Sequence, residues 1–182
     1  MNREKLKTAI PFVIFGILVV VLLVGLHPQE MDRASATSLR VGASAPETNL
    51  PNLTADGTRF ISKAWRGRPY IVNFFASWCS DCRAEHEELM TLEASHIPLI
   101  GITFKDRPDK ISAYLDHAGN PYALVVQDED NRASLDWGLA GVPETFVVDT
   151  HGIIRWHYAG ILTDKIVTDE LMPAWEASQA AR

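Results

Sequence analysis

Apolar positions alternate along this chain between uninterrupted runs and helical spacing. An unbroken apolar stretch covers Ala9 to Leu26, and residues 27–39 that follow are polar, include Pro28 and show no apolar period. Tyr70–Ala76 (YIVNFFA) predicts a buried strand, and Ser80 to about Ala94 a helix with Leu89, Met90 and Leu92 available for the core. Ile97–Phe104 predicts a second buried strand and Pro108–Ala118 a second helix. Tyr122–Val126 and Arg132–Leu139 predict a further strand and a short helix. Glu144–Asp149 and Ile153–Ala159 predict strands joined by Thr150-His151-Gly152, hence a hairpin. Asp164 to about Glu176 predicts a closing helix, bent or broken near Pro173. The pattern is an α/β sheet ending in an antiparallel hairpin and a terminal helix.

The length of 182 residues fits one domain of ordinary size, and 47% hydrophobic with 22% charged residues excludes a disordered chain. A net charge of −6 argues against a general nucleic-acid binder. Two cysteines make neither a disulfide-dense scaffold nor, alone, a four-ligand zinc site. Arg3, Lys5 and Lys7 precede the Ala9–Leu26 stretch, which holds no charge. As a helix it would be about 27 Å long, enough for the hydrocarbon core of a bilayer. It exceeds the roughly 7–15 apolar residues of a cleaved signal peptide. Ala34-Ser35-Ala36 resembles a cleavage site but lies eight residues beyond the run. The expected organisation is a cytoplasmic N-terminus at 1–8, a single transmembrane anchor at 9–26, a stalk at 27–39 and an extracytoplasmic domain at 40–182. Residues 1–26 hold three basic groups and one acid, so 27–182 hold 14 basic and 22 acidic groups, a balance of −8. Such a domain has no attraction of its own to anionic lipid.

The chemistry concentrates at Trp78-Cys79-Ser80-Asp81-Cys82, where the first buried strand gives way to a helix. A helix N-terminus offers unpaired N–H groups and the positive end of the macrodipole, which favour a thiolate. Two intervening residues let the second thiol attack a mixed disulfide formed on the first. Cys79 is therefore expected to be the exposed nucleophile and Cys82 the resolving thiol. A purely structural disulfide across so short a loop would stabilise weakly. Metal binding would draw on His86, four residues after Cys82, but three ligands leave a structural zinc unfilled. A peroxidatic role needs only one of the two thiols.

Asn73-Phe-Phe-Ala-Ser-Trp-Cys-Ser-Asp-Cys-Arg-Ala-Glu-His86 resembles the active-site segment of thioredoxin-like proteins. With Gly119-Asn-Pro-Tyr-Ala-Leu124, Gly141-Val-Pro-Glu-Thr-Phe146 and Gly152-Ile-Ile-Arg155, the chain resembles the DsbE/CcmG thiol:disulfide interchange proteins of cytochrome c maturation over Val41 to Trp175. The resemblance implies a thioredoxin-like fold, a central mixed β-sheet flanked by helices with an inserted strand–helix unit. It implies a dithiol reductase tethered to the bacterial inner membrane, single-pass, with its domain in the periplasm. Its partners would be apocytochrome c or a haem-lyase thiol subunit, and a membrane thiol reductant of the DsbD/CcdA type, with no cofactor, metal or nucleic acid. The alternatives are a general reductase of other exported thiols and a metallochaperone built on Cys79, Cys82 and His86.

The same resemblance implies further site residues. Thioredoxins carry a buried Asp where this chain has Asn73, so another base is needed for Cys82. Glu85, three residues after Cys82, and Glu144, after Pro143, are carried over as the active-site acids. Pro143 matches the cis-proline that faces the cysteine pair in this fold. Ser80-Asp81 departs from the uncharged pair common between the cysteines, and the Asp81 charge opposes thiolate formation. Asp128-Glu129-Asp130 is expected to be a solvated loop ahead of a helix, and His151 an exposed turn residue.

Overall fold

The computed structural model describes residues 15, 16, 18–21, 40–54 and 57–180. They fall into two units, Met1–Asp32 and Arg33–Arg182. In the first, residues 15, 16 and 18–21 are helical. Phe15, Leu18, Val20 and Val21 each expose more than half their surface. Among the described residues no helix is long and apolar enough to cross a membrane. Most of the anchor expected at 9–26, and the stalk at 27–39, lie outside those residues.

The second unit is built on a five-stranded sheet. Its strands are β3 (Tyr70–Phe75), β4 (Leu99–Thr103), β5 (Leu124–Gln127), β6 (Glu144–Val148) and β7 (Ile154–Ala159), in the order β5-β4-β3-β6-β7. β3, β4 and β5 run parallel, while β6 and β7 pair antiparallel, giving the mixed sheet implied above. Two short strands ahead of it, β1 (Asn49–Pro51) and β2 (Arg59–Ile61), form a separate antiparallel pair. Three residues leave no period to read, so the pattern of apolar positions does not announce them.

All six residues of β3 are buried, and they divide by the period of two between the faces of the sheet. Ile71 and Phe75 join a core that holds Cys79, Cys82, Leu89, Leu115, Tyr122 and Leu162. Tyr70, Val72 and Phe74 join the other, with Ile102, Trp137 and Phe146. Asn73 points to the cysteine side, between its neighbours Gly101 on β4 and Thr145 on β6. Trp137 fills the opposite side edge-on to Phe74 and Phe146, and its indole N–H donates to Thr48 Oγ1 at 2.9 Å. Leu89 and Leu92 are buried as expected, and Met90 is half-buried.

The helices depart from expectation at three places. The helix expected from Ser80 to Ala94 is two, α1 (Ser80–Ala84) and α2 (His86–Ala94). Glu85 separates them with ψ near −2°, although its N–H still bonds the Asp81 carbonyl and its carbonyl accepts the Leu89 N–H, each at 3.2 Å. After α3 (Pro108–Ala118), the acidic run is not all solvated. Asp128 is buried and its carboxylate accepts from the N–H groups of Ala133 and Ser134 at 3.0 and 2.8 Å. It thereby satisfies the open start of α4 (Arg132–Trp137). The closing helix runs unbroken through α5 (Asp164–Ile166), a wide turn at Val167–Leu171 and α6 (Met172–Ala180). In that turn the Met172 N–H bonds the Val167 carbonyl five residues back, which makes room for the Pro173 ring.

Candidate active site

Cys79 and Cys82 are joined in a disulfide at the start of α1, with Cα atoms 5.3 Å apart. Cys79 is the cap of that helix, and its Sγ accepts the Cys82 N–H at 3.0 Å. The Cys79 sulfur thus sits on an otherwise unpaired helix donor, where negative charge is stabilised. Cys79 is not exposed as expected: 5% of its surface is open, against 2% for Cys82. The loop leading into β6 closes over it, with the Val142 carbonyl oxygen 3.7 Å from Sγ and the Val142–Pro143 peptide cis. The segment before the pair is held by the loop after β4. Ser77 N–H donates to Asp106 Oδ2 at 2.6 Å, and the Trp78 indole N–H to the Lys105 carbonyl at 3.1 Å. Arg83 donates to the Ser77 carbonyl from the other side. The Trp78 ring itself is 56% exposed beside the pair.

Beneath the cysteines lies a closed polar network in an apolar core. Glu85 is fully buried. Its Oε1 accepts from Asn73 Nδ2 at 2.9 Å and its Oε2 from the Leu162 N–H at 2.9 Å. Asn73 Nδ2 also donates to Thr145 Oγ1 at 3.0 Å, and Asn73 Oδ1 accepts from the Tyr122 hydroxyl at 2.7 Å. Burial pushes the Glu85 carboxyl up to about 7, the Leu162 N–H and the Asn73 amide hold it back, and the Asp81 charge adds to the rise. Burial, and then the Glu85 charge, raise the Tyr122 phenol well above the usual tyrosine range. Tyr122 is therefore a neutral donor at any working pH. Of four buried carboxylates among the described residues, Asp128 holds a helix start and Asp149 the β6–β7 turn. Glu85 is the one that reaches into the cysteine-side core.

Glu144 does not join the network beneath the cysteines. It opens β6 as the partner of Phe74, so strand alternation turns it to the face away from Asn73 and Glu85. Its Oε1 accepts from the N–H groups of Ala140 and Gly141 at 2.8 and 3.2 Å, and Oε2 lies 2.8 Å from His157 Nε2. His157 stacks on Phe146 with centroids 4.1 Å apart. Glu144 thus clamps the loop that carries Val142 and Pro143, and Pro143 accepts the Gly160 N–H at 3.0 Å. Glu144→Gln should leave the Glu85 titration where it is while costing about 1–3 kcal/mol of stability, since one buried partner is lost. Carbon-13 carboxyl titration and urea unfolding check the two halves; a moved Glu85 midpoint would restore Glu144 to the electrostatics of the pair.

His86 is placed away from a ligand role. Its ring nitrogens lie 2.9 Å from the Tyr114 hydroxyl and 3.1 Å from the Ala118 carbonyl, docking α2 onto α3. Among the described residues no three His, Cys, Asp or Glu side chains are grouped to hold a metal ion. Asp81 stands exposed in the first turn of α1, and His151 is exposed in its turn. Sequence reasoning missed Tyr122, Thr145 and the Leu162 N–H as members of the site. The readable signal was Gly101, a glycine inside an apolar strand. A Cβ there would lie 2.8 Å from Tyr122 Cγ and 2.9 Å from Phe75 Cε1.

Residues 40–171 match the family model described as Redoxin. The chain is 38% identical over 173 residues to the thiol:disulfide interchange protein DsbE of Yersinia pestis, spanning 93% of this chain and 92% of that one. It is 39% identical over 145 residues to the thiol:disulfide interchange protein HelX of Rhodobacter capsulatus, spanning 80% and 82%. Among solved structures it is similar to dsbF of MTB in mixed oxidised and reduced forms, with a TM-score of 0.63 and 22% identity over 73% of this chain and 96% of that one. This last likeness concerns the fold.

Proposed function

The chain belongs to the redoxin family and, within it, to the thioredoxin-like DsbE thiol:disulfide oxidoreductases, and from that premise we propose that it is the dithiol reductant of cytochrome c maturation. The observation that carries the reading is the Cys79–Cys82 pair, capped on α1 and faced by the cis Val142–Pro143 loop.

In the forward direction the reduced pair meets a client disulfide. The Cys79 thiolate attacks one client sulfur, the client S–S bond breaks, and the other client sulfur leaves as thiolate. Cys82 then gives its proton to the Glu85 carboxylate and attacks Cys79 Sγ. The mixed disulfide breaks, the second client thiolate leaves, and Cys79–Cys82 closes. Two electrons pass from the dithiol to the client, and its two thiolates take up two protons. The Cys82 proton comes by way of Glu85, and the other from water, which received it when Cys79 ionised. A carboxyl near 7 both accepts and returns a proton at neutral pH. Pro143 and the Val142 carbonyl, beside Cys79, line the place where the client backbone would lie.

In this reading the clients are the haem-attachment cysteines of apocytochrome c, reduced directly or through a haem-lyase subunit, and a DsbD/CcdA-type membrane reductant restores the dithiol. The domain acts in the periplasm on an anchor at residues 9–26, which keeps it near that electron source. The test mixes reduced full-length protein in detergent with oxidised apocytochrome c or with insulin, and follows thiols released. Faster reduction of apocytochrome, with one Cys79–Cys82 disulfide formed per client disulfide opened, is expected. Equal rates on both clients would favour a general reductase of exported thiols. Alkaline carbonate should leave the full-length protein in the membrane fraction; a soluble form beginning near Thr37 would remove the anchor.

A further inference from the structure

We infer that Tyr122 is a positioning residue of this oxidoreductase: its hydroxyl orients the Asn73 amide so that the amide N–H, not its oxygen, faces Glu85. The inference rests on the reading of Glu85 as the proton acceptor for Cys82, and assigns what sets that acceptor.

Asn73 can present either end of its amide to a neighbour, and nothing in its own geometry chooses. Three contacts choose here. Tyr122 donates to Oδ1 at 2.7 Å, while Thr145 Oγ1 and Glu85 Oε1 take Nδ2 at 3.0 and 2.9 Å. The threonine hydroxyl donates or accepts and so suits either end; the tyrosine decides. Its own place is secured by the sheet. Gly101, the β4 partner of Asn73, has no side chain, and its gap admits the Tyr122 ring, stacked on Phe75 with centroids 4.7 Å apart. With the N–H on Oε1 and the Leu162 N–H on Oε2, both carboxylate oxygens are met by donors, an arrangement that favours the ionised form. Without the Tyr122 donor the amide is free to turn its oxygen to Glu85, which favours the protonated acid. The other charge that acts on this carboxyl is that of Asp81 on α1, while the phenols of Tyr114 and Tyr122 feel the Glu85 charge.

Tyr122→Phe keeps the ring on Phe75 and removes the donor. In oxidised full-length protein, carbon-13 titration of the glutamate carboxyls should show the Glu85 midpoint rise by about half a unit to one unit, roughly three- to tenfold in proton affinity. Site-specific 3-fluorotyrosine at 122, a more acidic phenol and a better donor, should move the midpoint the other way. The acid limb of mixed-disulfide resolution should shift with the midpoint in Tyr122→Phe. On the Glu85→Gln background, Tyr122→Phe should add no shift. A tyrosine that only supports the fold would slow the reaction at every pH without moving the limb. An unmoved Glu85 midpoint in both tyrosine variants overturns the inference. If the midpoint moves but Glu85→Gln leaves the resolution profile unchanged, the orientation stands and the proton-acceptor reading falls instead.

Discussion

Cys82→Ser should accumulate a mixed disulfide with the client, and Cys79→Ser should form none. The asymmetry follows from where α1 begins, because exposure differs little between the two sulfurs. Cys79 caps the helix and accepts the Cys82 N–H, so charge on its sulfur is met by a donor and by the positive end of the helix. Cys82 lies inside the helix and faces the apolar core. Attack on a client therefore proceeds through Cys79 and stalls there when the second sulfur is absent. With Cys79→Ser, client reduction should fall to the uncatalysed background, a loss of at least about a thousandfold, since the thiolate is the nucleophile. Non-reducing gels of cells expressing each variant read the outcome, and the trapped band identifies the client. Equal trapping by both variants would reverse or dissolve the assigned roles. A Cys82→Ser band containing apocytochrome c or a haem-lyase subunit would support the maturation reading.

The sheet was legible because its central strands are buried on both faces and spell continuous apolar runs. Tyr70–Ala76 and Ile97–Phe104 were found with only end residues to trim. The cysteine pair was legible because a strand-to-helix junction and a CxxC spacing coincide. Glu85 and Pro143 came from the family resemblance alone, and the local pattern hides the rest of the site for identifiable reasons. Glu85 follows Asp81, Arg83 and Ala84, all exposed, and precedes His86, so nothing local marks it as buried. Its own partners, Asn73 on β3 and the Leu162 N–H after β7, and the groups that hold Asn73, Thr145 on β6 and Tyr122 ahead of β5, are all distant in sequence. Glu144 shows the converse error. Adjacency to Pro143 grouped it with Glu85, but alternation along a strand sends consecutive side chains to opposite faces. Reading the alternation from Thr145, the partner of Asn73, would have placed it correctly.

Glu85→Gln should remove a pH dependence of stability as well as of rate. The carboxyl, ordinarily near 4.5, stands at about 7 in the folded protein because burial penalises its charge. Between those values the folded chain holds a proton that the unfolded chain has released. Stability from this group is therefore complete below about pH 4.5, and is lost as pH rises through about 7. A displacement of this size corresponds to about 3 kcal/mol across the window. Gln mimics the protonated acid and carries no such term. The stability of the parent minus that of the variant should thus fall by about 3 kcal/mol from pH 4.5 to pH 8, the other titrating groups cancelling. Urea unfolding of the oxidised proteins at several pH values measures it. The kinetic counterpart has the same origin. At pH 7.5 most of the parent carries the carboxylate that takes the Cys82 proton, and Gln cannot, so resolution of the mixed disulfide should slow by about a hundredfold. Below about pH 6, where the parent is itself protonated, the two rates should converge. A parent-minus-variant stability that stays flat from pH 4.5 to 8 would mean that Glu85 ionises in the fold as freely as in solvent. The buried carboxylate would then be too weak a base to hold the Cys82 proton at neutral pH, and that proton would have to leave by water.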